Sequence, residues 1–404
     1  MFAHLQEWLG FSLRWLHLIA GISWIGSSFY FMWLDASFEP PTAPRSGVDG
    51  EVWMTHGGNF YQVEKRKLAP GELPKTLHWF KWEAFFTWLT GILLLINVYY
   101  LSGGIYLLDP AVSQISASAA SLLGLGALVV SWFLYDWLWQ SRLAKSAAGV
   151  ATAVCYAGLV GSVYVLCHYL SGRAAFIHVG AMLGSIMVLN VWVRILPGQR
   201  RMIAASQEGR TPDYELGIAA KRRSTHNSYM TFPVLFIMLS NHYPMTFAGE
   251  KNGLILLLLI FAGAAIRHVM IGKTATKNWA AIPATAAIVT VFFMTAPRVE
   301  PTPVDTLSLG ESPVAMAPVT FTQVNDVISK RCLACHSQRP TDDIFKVAPN
   351  GVTFDSPQMI GNYVDRIRVR AVETKTMPLA NKTGMTGEER AMLSRWISEG
   401  ARIE

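Results

Sequence analysis

The chain has 404 residues, 51% of them hydrophobic and only 15% charged, with a net charge of +7. This composition argues against a soluble chain of two or three domains and for a polytopic membrane protein with a soluble tail. The positive charge does not signal nucleic acid: no Lys/Arg-rich arm with interleaved aromatics occurs, and basic loops facing anionic lipid account for it.

Met1 to Leu34 has no basic region ahead of its apolar core and no small-residue cleavage site, so it reads as a retained first span rather than a signal peptide. A span needs roughly 20 mostly apolar residues. On that criterion spans are predicted near 8–34, 79–101, 115–140, 147–170, 173–195, 229–247, 250–272 and 276–296. Short polar connections at 141–146, 171–173 and 273–275 make their neighbours antiparallel. Basic residues set the orientation. One set of loops holds Arg45, Lys65, Arg66, Lys67 and Lys75, then Arg142 and Lys145. It continues with Arg200, Arg201, Arg210, Lys221, Arg222 and Arg223, and ends with Lys273 and Lys277. The alternate loops hold only Arg173 and Lys251, so the first set is expected to face the cytoplasm and both termini the outside.

The membrane domain is therefore predicted over 1–296. Residues 297–318, rich in Pro and Ser, read as an extended linker. A small helical domain occupies 319–404, with capping boxes at Thr320/Gln323 and Thr386/Glu389 and a basic amphipathic helix over 357–374. Its Cys332-Leu333-Ala334-Cys335-His336 is a C-x-x-C-H sequence, the pattern of covalent c-type haem attachment. Two thiols at that spacing can form thioethers to the haem vinyl groups, with His336 as an axial ligand to the iron. A zinc or redox C-x-x-C is the competing reading, but no second C-x-x-C or H-x-x-x-H completes a zinc site. Attachment of c-type haem takes place on the outer, periplasmic side in bacteria, which agrees with the charge-based orientation. Methionine is the common sixth ligand, and Met359, Met377, Met385 and Met392 are available. Met377 is favoured because Lys375-Thr376-Met377-Pro378 lies between predicted helices, where a loop can turn the sulfur inward. Cys155 and Cys167 fall on one predicted helix, about 18 Å apart, too far to pair.

Ionisable groups inside spans are costly and are functional candidates. The outer half holds Arg14, His17, His168, His178 and His242. For His17, His178 and His242 the sharp expectation is ligation of a b-type haem; the bland one is hydrogen bonding between helices. The inner half holds His78, Lys81, Glu83, Asp136, His226, Arg267 and His268. There His78, Glu83, His226 and Arg267 suit a planar anion, with Arg as clamp and a carboxylate or neutral imidazole taking protons.

Three stretches carry a resemblance. They are Arg14-Trp15-Leu16-His17 with Gly21-Ile22-Ser23-Trp24-Ile25-Gly26; His56-Gly57-Gly58-Asn59 through His78-Trp79-Phe80-Lys81-Trp82-Glu83; and Ser224-Thr225-His226-Asn227 through Ser240-Asn241-His242. With the C-x-x-C-H motif they resemble the bacterial membrane-bound urate oxidases (urate hydroxylases) with a fused cytochrome c. The resemblance implies an all-α chain, a polytopic membrane helix bundle of about eight transmembrane helices followed by a small cytochrome c-like domain. It implies oxidation of urate to 5-hydroxyisourate with oxygen from water. Electrons would leave through the c-type haem to a soluble cytochrome c or terminal oxidase, without hydrogen peroxide. The bacterial inner membrane is the expected location. A quinol-linked electron-transfer subunit carrying b and c haems is the alternative, and a haem-handling sensor a third reading.

Overall fold

The computed structural model describes residues 2–66, 71–74, 76–271, 275–296 and 318–403. The predicted linker lies outside the described residues apart from Pro318, as do Lys67, Lys75 and Lys273.

Helix runs through most of each predicted span. In chain order these helices are α1 (Phe2–Ser37), α2 (Trp82–Leu95, extended by a π turn over Ile96–Tyr100) and α3 (Ala117–Gln140). After the short α4 (Arg142–Ser146) come α5 (Ala148–Tyr169) and α6 (Gly172–Leu189). A π segment (Asn190–Ile195) carries α6 into α7 (Leu196–Gln207). The bundle closes with α8 (Tyr214–Ser240), α9 (Asn252–Met270) and α10 (Ala281–Met294). Five of these stretches are long and apolar enough to cross a membrane: 82–100, 117–140, 148–169, 172–207 and 252–270. The others fall short because α1 mixes His17, Ser23, Ser27, Ser28 and several tryptophans into its apolar run, α8 opens on a charged stretch, and α10 is short. Leu122, Phe133, Ile282, Phe292 and Phe293 stand exposed on the outer faces of α3 and α10, a large apolar surface of the kind lipid covers.

Local sequence explains the boundaries. Ser116 and Ser171 cap α3 and α6 by accepting from the Ala119 and Ala174 amides at 3.2 Å. Asp213 caps α8 through the Glu215 amide at 3.0 Å, so this helix starts well before the predicted 229. Pro233 sits inside α8, and Gly263 of α9 packs on it so closely that a Cβ there would meet the proline ring at 3.1 Å.

The all-α expectation needs one correction. Within the predicted loop 35–78, β1 (Val48–His56) and β2 (Asn59–Arg66) form an antiparallel hairpin with His56 opposite Asn59. The two-residue turn Gly57-Gly58 has φ of 58° and 79°, the primed geometry that suits a hairpin and that glycine adopts without strain.

The two predicted sets of loops fall at opposite ends of the bundle. At one end Asp35 accepts from Lys221 at 2.7 Å and also binds Lys65, while the Gly71 amide donates to the Ser206 carbonyl at 2.8 Å. Arg222 lies over Trp139 at 5.7 Å at the same end. At the other end the Ser171 hydroxyl donates to the Tyr106 carbonyl at 2.8 Å, and the ring of Tyr106 meets Phe345 of the C-terminal region edge-on at 6.3 Å.

The C-terminal region contains α11 (Phe321–Arg331), α12 (Pro357–Asn362), α13 (Val364–Ile367) with a π turn (Arg368–Glu373), and α14 (Gly387–Ser398). Both predicted capping boxes are formed. Val324, Ile328, Ile360, Leu393 and Trp396 make its core, and the Trp396 indole donates to the Arg402 carbonyl at 2.8 Å.

Candidate functional site

A cavity of about 1690 Å³ runs from the C-terminal region into the bundle. It exceeds the roughly 300–1,000 Å³ of a pocket for one small ligand. Its upper walls come from the turn after α11 and from residues 365–383; its lower walls come from α1, α2, α6 and α8.

Cys332, Cys335, His336 and Met377 all open onto the upper half. The Cys335 and His336 amides donate to the Cys332 carbonyl at 3.2 and 2.9 Å, closing the turn that turns the three side chains one way. His336 Nδ1 donates to the Val352 carbonyl at 3.0 Å, the tautomer that leaves Nε2 with its lone pair. Burial pushes this imidazole below its ordinary pKa, and the Val352 bond opposes that. The Met377 amide donates to the Arg370 carbonyl at 2.9 Å, and its own carbonyl accepts from Arg390 at 2.8 Å, so the loop is pinned on both sides. Met359, Met385 and Met392 do not line the cavity; Met385 is buried in the core and the Met359 sulfur faces Thr353. Among the described residues no three His, Cys, Asp or Glu side chains converge as a metal-ligand set, so no zinc tetrahedron forms around the two thiols. Two thiols, a free imidazole nitrogen and a thioether around one space are a donor set that could hold a haem.

Beside it, Asp342 accepts from Lys382 at 2.7 Å and from the Ile344 and Phe345 amides at 2.8 and 2.9 Å. Burial pushes its carboxyl up, but these donors outweigh that and hold it well below the usual carboxylate range. This fixes the loop whose Phe345 touches Tyr106.

His17 lies in the lower half. Its Nδ1 donates to the Thr87 carbonyl at 2.8 Å, with Thr90 Oγ1 at 3.0 Å, and among the described residues Nε2 has no hydrogen-bond partner. The ring fits against Gly91, where a Cβ would come within 3.0 Å of it. Arg14 and Arg173 line the same space, as do Arg366 and Arg370 from above. Arg173 donates to Asn241 at 2.9 Å and lies over Tyr106 at 4.9 Å. Burial, then the charges of Arg173 and Arg366, lowers the Arg370 pKa, which places these guanidinium groups near one another at the seam. Among the described residues none of Arg14, Arg173, Arg366 and Arg370 has a carboxylate partner, so the cavity favours anions.

The expected b-haem histidines are not gathered. His178 is fully buried away from the cavity, with Nδ1 on the Ala174 carbonyl at 2.7 Å and Nε2 on the Tyr100 hydroxyl at 2.8 Å. Gly124 packs against that ring, where a Cβ would come within 2.5 Å. His242 lines the cavity beyond the end of α8, at its rim.

The inner residues are not gathered either. None of His78, Glu83, His226 and Arg267 lines the cavity. His78 is exposed before α2 and packs edge-on against Phe80. Glu83 has one buried oxygen without a partner. His226 takes a hydrogen bond from Tyr135 at 2.8 Å. Arg267 donates to Ser228 at 2.7 Å and covers the Phe29 ring at 4.0 Å. Each faces its own neighbours because the four sit on separate elements, and Arg267, like Glu83, keeps one buried atom without a partner. Tyr99, Arg173, Arg366 and Arg370, by contrast, reach the cavity, and sequence reasoning did not select them.

Comparison with known proteins gives one positive finding. The family model Urate oxidase N-terminal matches residues 3–296, the whole helical bundle with its hairpin. No curated protein and no solved structure matches the chain. The chain therefore belongs to the urate oxidase N-terminal family.

Proposed function

We propose that this chain is a membrane-embedded oxidoreductase that takes two electrons from urate and passes them to a c-type haem on its C-terminal domain. The observation that supports this most is the single cavity shared by the bundle of a urate oxidase family member and the C-x-x-C-H motif. Urate anion and water give 5-hydroxyisourate, one proton and two electrons, so the bundle needs a proton acceptor and an electron outlet. Cys332 and Cys335 would hold the haem by thioethers, and His336 Nε2 and the Met377 sulfur would bind its iron. When bound, the haem supplies a one-electron sink at the upper end of the cavity. The chain's own cations draw the urate anion in, and the apolar walls, Trp24 and Trp88 among them, limit water to what the reaction uses. We take the eight helical stretches as eight spans of a bacterial inner membrane, with the C-terminal domain on the periplasmic side. A soluble cytochrome c or terminal oxidase there would receive the electrons, so no hydrogen peroxide forms.

Urate added without oxygen to membranes holding the oxidised protein is expected to raise the c-haem alpha band. Reduction by quinol but not by urate would overturn the proposal in favour of an electron-transfer subunit. Met377→Ala is expected to abolish the weak near-infrared band of methionine–ferric ligation and lower the reduction potential, because a thioether favours ferrous iron. An unchanged spectrum rejects Met377 as the ligand.

A further inference from the structure

We infer that urate binds in the bundle half of the cavity against Arg14, His17, Tyr99 and Arg173, with His17 as general base. The inference rests on the urate-oxidation reading and names the site where it takes place.

Four observations converge. Tyr99 lines the cavity and is only 4% exposed, yet its buried hydroxyl has no well-formed hydrogen bond among the described residues, although the Arg173 guanidinium lies beside it. A buried hydroxyl without a hydrogen bond is costly, and a small shift of the ring would let a ligand oxygen in the cavity satisfy it. The π turn at the end of α2 sets Tyr99 at this wall while the next residue, Tyr100, binds His178. Arg14 precedes His17 by three residues, one helical turn on the same face of α1, and both line the cavity. Arg173 is held from the opposite side by Asn241.

The chemistry follows from these groups. Urate is a flat anion edged with carbonyl oxygens and N–H groups. Arg14, Arg173 and the Tyr99 hydroxyl can donate and match the oxygens; His17 Nε2 is the one basic nitrogen among the four and matches a proton. The Thr87 carbonyl makes that assignment firm, because only an Nδ1-protonated ring can bond to it. As water adds to the purine, a new C–O bond forms and an O–H bond of the water breaks, with its proton passing to His17. The two electrons leave one at a time, the first taken up by the c-type haem and handed to the external cytochrome c or terminal oxidase before the second follows. Cys332, Cys335, His336 and Met377, which would hold the acceptor, line the other end of the same cavity.

The test uses the full-length holoprotein. His17→Gln is expected to lower kcat for anaerobic, urate-driven haem reduction by roughly 10²–10⁴-fold and to remove the acid limb of the pH–rate profile. Arg14→Gln is expected to raise KM by about 10–100-fold, the loss of a charge-assisted bond, and Tyr99→Phe to raise it less. Covalent haem and its reduction by dithionite should be unchanged in all three. His17→Gln with a wild-type rate and pH profile overturns the proposal. So does acid-acetone-extractable haem that is present in the wild type and missing from His17→Gln, since His17 would then be an iron ligand. Equilibrium binding of radiolabelled urate separates the two levels. Wild-type protein that binds urate without reducing its haem defeats the oxidation reading; an Arg14→Gln variant that binds it normally defeats only this site.

Discussion

Replacing Cys332 and Cys335 together with alanine is expected to eliminate covalent haem and, with it, all urate-driven reduction of soluble cytochrome c. The reason is geometric. Both thiols open onto the cavity from one turn, and His336 offers a single nitrogen there. Without the thioethers only axial contacts would remain to hold a haem. The bundle should still fold, because its core of Leu166, Phe176, Leu256 and their neighbours contains no residue of the C-terminal region. The measurement pairs haem staining after denaturing electrophoresis with cytochrome c reduction by urate. Staining that survives in the double variant would reject the motif as the attachment point; lost staining with full turnover would reject it as the electron outlet.

The second large effect is on stability. Asp136 on α3 is buried and accepts from Arg194 at 2.8 Å, Arg223 at 2.9 Å and Gln140 at 2.7 Å. It clasps α3, the π segment after α6, and α8. Arg223 is itself only 4% exposed, so removing the carboxylate leaves a buried cation uncompensated. Loss of one partner of a buried pair costs about 3–5 kcal/mol. Asp136→Ala should therefore unfold at a clearly lower temperature in detergent, with Asp136→Asn intermediate because it keeps the shape but not the charge. Wild-type melting of both variants would show that the clasp contributes nothing.

Much of the architecture was legible because it depends on local signals. Apolar runs marked the helical stretches, and Thr320/Gln323 and Thr386/Glu389 marked two helix starts. Met377 stood out because it is the methionine between predicted helices, and the structure puts it alone of the four on the cavity. The hairpin was missed although Gly57-Gly58 between β-rich runs carried the signal. Convergence was not legible. Asp136 and His226 looked available from their depth, but each meets partners on another helix. His178 looked like a ligand until Tyr100 and Ala174 were seen to occupy both of its nitrogens. Tyr99 reaches the cavity wall by a π turn that no hydrophobic period reveals, and Arg173 lines one cavity with Arg366 and Arg370 across nearly two hundred residues of chain.

The cavity has a floor from α1, α2, α6 and α8 and a roof from residues beyond 328. A chamber built that way is not modular. Severing the chain between the bundle and the C-terminal region would remove not an accessory carrier but half the vessel, leaving Arg14, His17, Tyr99 and Arg173 open to bulk water. Fusion in one chain thus makes the two halves of the container a single heritable part.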